Sequence, residues 1–387
     1  MMRTHPPLRW RAAVLGLVAL AALLVSACGN VSYYWQAMNG QMEILRKRRP
    51  IAEVLADPAV SPSVKERLRL AAQVQEFSVS ELSLPAKGAY RTYADLGRPF
   101  VSWVVVAAPA LELREYTWCY LIVGCLGYRG YFAQADAEGL AADLRAEGYD
   151  VAVRPVRAYS TLGWFDDPLL NTFVDQDELE LMATLIHEQA HRRVWVNGDT
   201  GFNESFAVFV EQEGLRRYLE RQPSAGESPA PPRVSMARYE VHRADTERFQ
   251  TIALEGRRRL AELYASALPD AEKRARKVQL LDAIREDYQK QRSSFKLLNY
   301  DGWFGPKLNN ADFVGVAQYH VRVEAFAVLF QEQGRDFARF YAASEALGKL
   351  APAERQAALD RLAAVRASGL QPPERGTALH GERHVSR

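Results

Sequence analysis

Apolar residues recur at near-helical spacing from Tyr33 to Glu76, at Ile44, Leu45, Ile51, Val54 and Leu55, and Pro50 marks a break or a helix start. The pattern then changes. Phe100–Ala107 and Tyr120–Val123 are rich in β-branched and aromatic residues and predict strands. Ala135–Glu147 has a helical pattern closed by Gly148, and Val151–Tyr159 alternates again, with Pro155 pointing to an edge strand or bulge. Strand, helix and strand in this order predict a small mixed sheet. From Asp175 the helical period dominates: one helix over Asp175–Trp195, another over Asn203–Tyr218, two over Glu240–Ser294 broken near Pro269, then Asp312–Gln331 and Arg335–Leu350. The expected class is α+β, with a small mixed sheet followed by a mainly helical region.

Breaks in the pattern suggest boundaries. The regions are 1–27, a leader; 28–97, mainly helical; 98–221, a core with the sheet; 222–239, a loop rich in Pro and Ser; 240–367, helical; and 368–387, a tail without apolar pattern and expected to be disordered. Within the leader, Met1–Arg11 is basic and Ala12–Val25 is an unbroken apolar run, shorter than the roughly 20 residues of a membrane span. It ends in Val25-Ser26-Ala27-Cys28, which resembles a bacterial lipobox and implies a diacylated Cys28. Gly29 after it favours the outer membrane. The expected location is the cell envelope, facing the periplasm, with the membrane as a partner through the N-terminal lipid.

Of 387 residues 48% are apolar and 25% charged, an ordinary globular composition. The formal charge of +2 includes Arg3, Arg9 and Arg11 of the leader, so the chain from Cys28 onward is slightly acidic, and a nucleic-acid partner has no support. The remaining cysteines, Cys119 and Cys125, are candidates for a disulfide in an exported protein, although their spacing does not demand one.

The chemistry concentrates in Leu185-Ile186-His187-Glu188-Gln189-Ala190-His191. On a helix His187 and His191 are one turn apart on one face, so both imidazoles can reach one ion at about 2.0–2.1 Å. Glu188 beside them can take a proton from a metal-activated water. Met182, Leu185, Ile186 and Ala190 supply the buried side that holds such a helix rigid. The chain has seven histidines, which makes the motif rare by chance. Downstream, Asn197-Gly198 is a turn signal, and Gly201-Phe202-Asn203-Glu204-Ser205-Phe206-Ala207 opens a second helix that brings Glu204 back toward the pair. Two histidines and a carboxylate with a fourth position left for water form the catalytic zinc pattern, with one Zn²⁺ per chain. Glu211, two turns after Glu204, lies on a similar face and stays outside the candidate set; Asp199 reads as a turn residue.

This HExxH followed by an N-E-x-F-A helix resembles the gluzincin metallopeptidases, and more closely a bacterial family of zinc aminopeptidases with lipoprotein signals. The matching segments include Trp118-Cys119, Tyr128–Phe132, Ala158–Phe165, Asp167-Pro168-Leu169, HEQAH, Gly198-Asp199-Thr200, Phe202–Ala207, Asn309-Asn310-Ala311 and Tyr319, over most of residues 33–345. The resemblance implies that His187, His191 and Glu204 hold the zinc, that Glu188 is the base, and that Tyr319 donates to the oxyanion. It also implies that Ser160, Thr161, Leu162 and Gly163 pair with an extended peptide substrate. Two departures stand out. His191 and Glu204 lie closer together than in the better-studied gluzincin aminopeptidases. Their G-x-M-E-N motif is also missing upstream of the helix; Gly40-Gln41-Met42-Glu43 lies far too early and lacks the Asn. An aminopeptidase is therefore the leading expectation, with an envelope endopeptidase and a non-catalytic metal-binding lipoprotein as the alternatives. Arg129, flanked by Tyr128 and Tyr131, can bind a peptide carboxylate or anchor the sheet.

Overall fold

In the computed structural model the described residues are 32–85, 89–120, 124–158, 166–222, 234–320 and 322–367. Cys28, the candidate substrate strand Ser160–Gly163 and the tail lie outside them. The chain begins with helix α1 over 32–46 and continues through β1 (Arg48–Pro50), α2 (Ile51–Ala56) and α3 (Pro62–Ser80). Pro50 does mark a boundary: it ends β1 and stands at the N-cap of α2, where its missing N–H costs nothing. Strand β1 itself interrupts the helical reading of Tyr33–Glu76. It pairs antiparallel with β2 (Ala89–Ala94), which pairs parallel with β8 (Asp167–Leu170), so the mixed sheet forms from three strands that the hydrophobic pattern did not reveal.

Two of the anticipated strands, Phe100–Ala107 and Val151–Tyr159, join an unanticipated third in a separate antiparallel sheet, while the expected strand Tyr120–Val123 lies, after Tyr120, outside the described residues. Strand β3 (Ser102–Pro109) lies between β6 (Arg129–Tyr131) and β7 (Tyr149–Val156). Both neighbours run antiparallel to β3, hence parallel to each other, and α4 (Gln134–Ala146) connects them. Gly148, at φ +90°, terminates α4, and Pro155 sits on β7, the sheet's edge, where its lost donor is harmless. A third piece is the hairpin of β4 (Trp118–Tyr120) and β5 (Gly124–Leu126), whose register places Cys119 opposite Cys125, joined as a disulfide.

The remainder is helical, which makes the class α+β. Several of the expected boundaries move. Short α5 (Asn171–Val174) precedes α6 (Glu178–His191), because Asp177 caps α6 by accepting from Leu179 N–H; the helix expected from Asp175 to Trp195 is trimmed at both ends. Helix α7 (Thr200–Glu220) starts earlier than expected, capped by Asp199. Helices α8 (Met236–Ala265) and α9 (Asp270–Gln291) break near Pro269, as the sequence suggests. The single helix expected over Asp312–Gln331 is two, α10 (Asn310–His320) and α11 (Val323–Glu332), followed by α12 (Phe337–Gly348) and α13 (Pro352–Ala367). Among the described residues no helix is long and apolar enough to cross a membrane.

The main core packs α3, α6, α7, α11 and α12 against the mixed sheet, with Phe173, Phe202, Phe206, Phe326 and Phe340 fully buried. Phe206 stacks on Phe340 at 5.6 Å and meets Phe326 edge-on at 5.7 Å. Two smaller cores lie between α8, α9 and the start of α10, and under the antiparallel sheet against α4. Asn310 joins the units. Its side-chain NH₂ donates to the carbonyls of Pro109, Ala110 and Glu112, and its oxygen accepts from Tyr264 at 2.7 Å. The Asn309-Asn310-Ala311 signature is thus explained by a joint rather than by chemistry.

Candidate metal centre and active site

The α6–α7 turn is specified by two side chains. Asn203 closes the connection in both directions: its oxygen accepts from Val196 N–H and its NH₂ donates to Val196 C=O, each at 2.8 Å. Asp199 accepts from Phe202 N–H at 2.9 Å and ion-pairs with Arg322 at 2.9 Å and Arg355 at 2.8 Å. Burial opposes its charge, yet these donors hold its carboxyl below the usual aspartate range. Asp199 is therefore a turn residue, as its sequence context suggested, and in the fold it is also the cap of α7. Farther along, a Cβ at Gly214 would stand 2.7 Å from Leu82 and 3.2 Å from Ile186, so this glycine permits α7 to lie close on α6.

On these two helices His187, His191 and Glu204 converge. Their ligand-capable atoms all lie within 4.8 Å of one another. Glu204 Oε2 is 3.3 Å from His187 Nε2 and 3.7 Å from His191 Nε2. The two imidazole rings meet edge-on at 4.8 Å, and Trp195 packs on His191 at 5.4 Å. The opposite side of α6 is the anticipated apolar one, with Met182, Leu185, Ile186 and Ala190 buried. His187 Nδ1 contacts Glu211 Oε2 at 3.0 Å. Glu211 thus turns the ring so that Nε2 faces Glu204, the position a carboxylate takes behind a metal-binding imidazole. The sequence placed Glu211 on a similar face; only the approach of α7 to α6 makes the contact.

The centre has an acidic surplus. Glu188, Glu204 and Glu211 surround His187. Burial would lower the His187 pKa, but Glu204 and Glu211 push it well above the ordinary histidine value. Glu204, despite its burial, is held down to about 2 by the two imidazoles. Glu188 moves the other way: burial pushes its carboxyl up, Glu204 and Asp167 add to this, and the imidazoles oppose it. Two imidazole nitrogens and a carboxylate oxygen, with a negative surplus around them, suit a divalent cation of zinc's type.

Tyr90 on β2 is a neighbour that the sequence did not disclose. It is buried, adopts φ +61° at an irregularity in the β2–β8 register, and its phenol is pushed well up, by burial and then by the charges of Glu188 and Asp167. A bulky residue in the left-handed region holds a strained backbone; nothing in the alternation of Ala89–Ala94 announces it. Tyr319 lies on α10, which packs on α7, while its side chain is outside the described residues. A cavity of about 430 Å³ is lined by Glu180, His242, Thr246 and Tyr300. Glu180 shares the helical stripe of His187 and His191, so the cavity opens beside the N-terminal half of the same helix. Arg129 is a joint: its guanidinium lies 4.1 Å over the Tyr33 ring, pinning α1 to β6. Met42 is exposed and Glu43 pairs with Arg98 at 2.8 Å, so Gly40–Glu43 is part of α1 with its own contacts.

A family model described as "Putative aminopeptidase" matches residues 32–359. No curated protein and no solved structure matches the chain.

Proposed function

The chain belongs to this aminopeptidase family, and on that premise we propose that it is a zinc-dependent metallopeptidase that removes N-terminal residues from peptides and is lipid-anchored in the bacterial envelope through Cys28. The observation that carries the zinc reading is the convergence of His187, His191 and Glu204 from two helices on one point. These three would hold the ion, which when bound supplies Lewis-acid polarisation and acidifies water. Glu188 takes the proton from the attacking water and returns it to the leaving amine. Glu211 keeps His187 oriented. Tyr319 is the proposed oxyanion donor, and Ser160–Gly163 the proposed segment pairing with extended substrate.

Metal analysis with peptide hydrolysis tests this. Wild type is expected to hold about one zinc per chain, His187→Ala less, and Glu188→Ala the full amount without hydrolysis. A Glu188→Ala variant as active as wild type would remove the base from the mechanism. Peptides with blocked N-termini separate an aminopeptidase, which leaves them intact, from an endopeptidase, which cleaves them.

A further inference from the structure

Helix α1 displays Tyr34, Trp35, Met38 and Met42, 44%, 62%, 51% and 39% exposed. At helical geometry these four fall within an arc of about 100°. The opposite side is fastened to the domain. Ile44 is buried, and Gly40 approaches the Phe132 ring so closely that no Cβ would fit. The Gln36 amide donates to Gly130 C=O at 3.3 Å and accepts from Phe132 N–H at 3.0 Å. Tyr33 lies under Arg129, and Glu43 is paired with Arg98. The apolar stripe therefore faces outward from a helix that cannot roll to hide it. The end of the helix is basic: Arg46, Lys47, Arg48 and Arg49 follow one another, and Arg46 and Arg49 are exposed.

We propose that α1 lies in the headgroup region of a lipid bilayer, with Trp35, Met38 and Met42 in the acyl boundary and the Arg46–Arg49 end over anionic headgroups. Two observations choose a bilayer over a protein partner. The chain ahead of α1 is the apolar run ending at Cys28, so the stripe begins within a few residues of that membrane address. Its composition, two aromatics and two methionines beside a cationic end, is that of an interfacial helix. A lipid alone leaves a protein free to swivel. With α1 docked, β6 and β3 are fixed relative to the surface, and the α6–α7 centre is held at a set height above it. The inference takes the envelope location from the proposed function and nothing from the peptidase chemistry.

The test uses residues 28–387, which carry the whole described fold, with Cys28→Ser so that no acyl chain contributes. The expected result is sedimentation with vesicles of phosphatidylethanolamine and phosphatidylglycerol. Met38→Glu combined with Met42→Glu should lower that partitioning by about tenfold or more, with the circular dichroism spectrum and hydrolysis of a soluble peptide unchanged. Should the double variant fold poorly, Trp35 supplies the readout. Lipids brominated in their acyl chains should quench wild type more than Trp35→Phe. Equal quenching of the two, no vesicle binding by wild type, or a self-association abolished by Met38→Glu, which would make a second copy the occupant, overturns the proposal. Acylation of Cys28 without vesicle binding by the unacylated chain sinks this inference and leaves the lipid anchor standing; the reverse result does the opposite.

Discussion

Asp245 and the α6–α7 centre both draw carboxylates out of solvent, and the protein treats them differently. Asp245 on α8, 1% exposed, accepts from the N–H groups of Lys296, Leu297 and Leu298 at 2.9, 2.7 and 3.0 Å, with Arg248 at 3.5 Å. Burial would raise its pKa, but these donors keep it below the usual range. The charge is fully answered by the chain, and its effect is to fold the 296–298 segment onto α8. At the α6–α7 centre three glutamates crowd two imidazoles, Glu188 is pushed up rather than down, and His191 Nδ1 is buried without a partner among the described residues. A buried acid satisfied by fixed backbone donors is architecture. An acidic surplus that fixed donors of the chain do not answer marks a candidate functional site.

That contrast can be broken experimentally. Its largest consequence is at Glu188: Glu188→Gln should lower kcat by about a thousandfold with metal retained, measured by steady-state kinetics and metal content. Asp245→Asn should do the reverse, costing about 3 kcal/mol in urea unfolding while leaving kcat per folded molecule intact. A loss of kcat there would place the α8 region in the catalytic machinery. Glu211→Gln should weaken zinc affinity by about 10- to 100-fold, read by chelator competition; unchanged affinity would reduce the Glu211–His187 contact to packing. The smallest effect concerns acid stability. Asp245 and Asp199 have depressed pKa values in the folded chain, so their stabilisation is complete above the ordinary aspartate value of about 4 and is lost as pH falls through the folded values. The urea midpoint should therefore drop as pH falls below about 4, and Asp245→Asn should flatten that drop.

Individual residues explain how much of this was legible beforehand. His187, Glu188 and His191 declare themselves because a helix converts a spacing of four into one face. Asp199 and Asn203 were readable as turn and motif residues, although Asn203's double bond to Val196 was not. The break inside Asp312–Gln331 was missed because the apolar period continues through it. Strands β1, β2 and β8 were missed because each is short and its pairing partner is remote in the chain, so no local alternation marks it.

By itself the sequence determined what is local: most of the helices, the turn at Asp199, the glycine stop at 148, and the pair of histidines on one face of α6. Tertiary structure decided what depends on distance through space. It brought Glu211 behind His187, put Tyr90 beside Glu188, set Cys119 opposite Cys125, and left the Trp35–Met42 face of α1 bare. The physical reason is that backbone period and capping act over a few residues. Ring orientation, buried charge balance and exposure are instead properties of neighbours that only packing assembles.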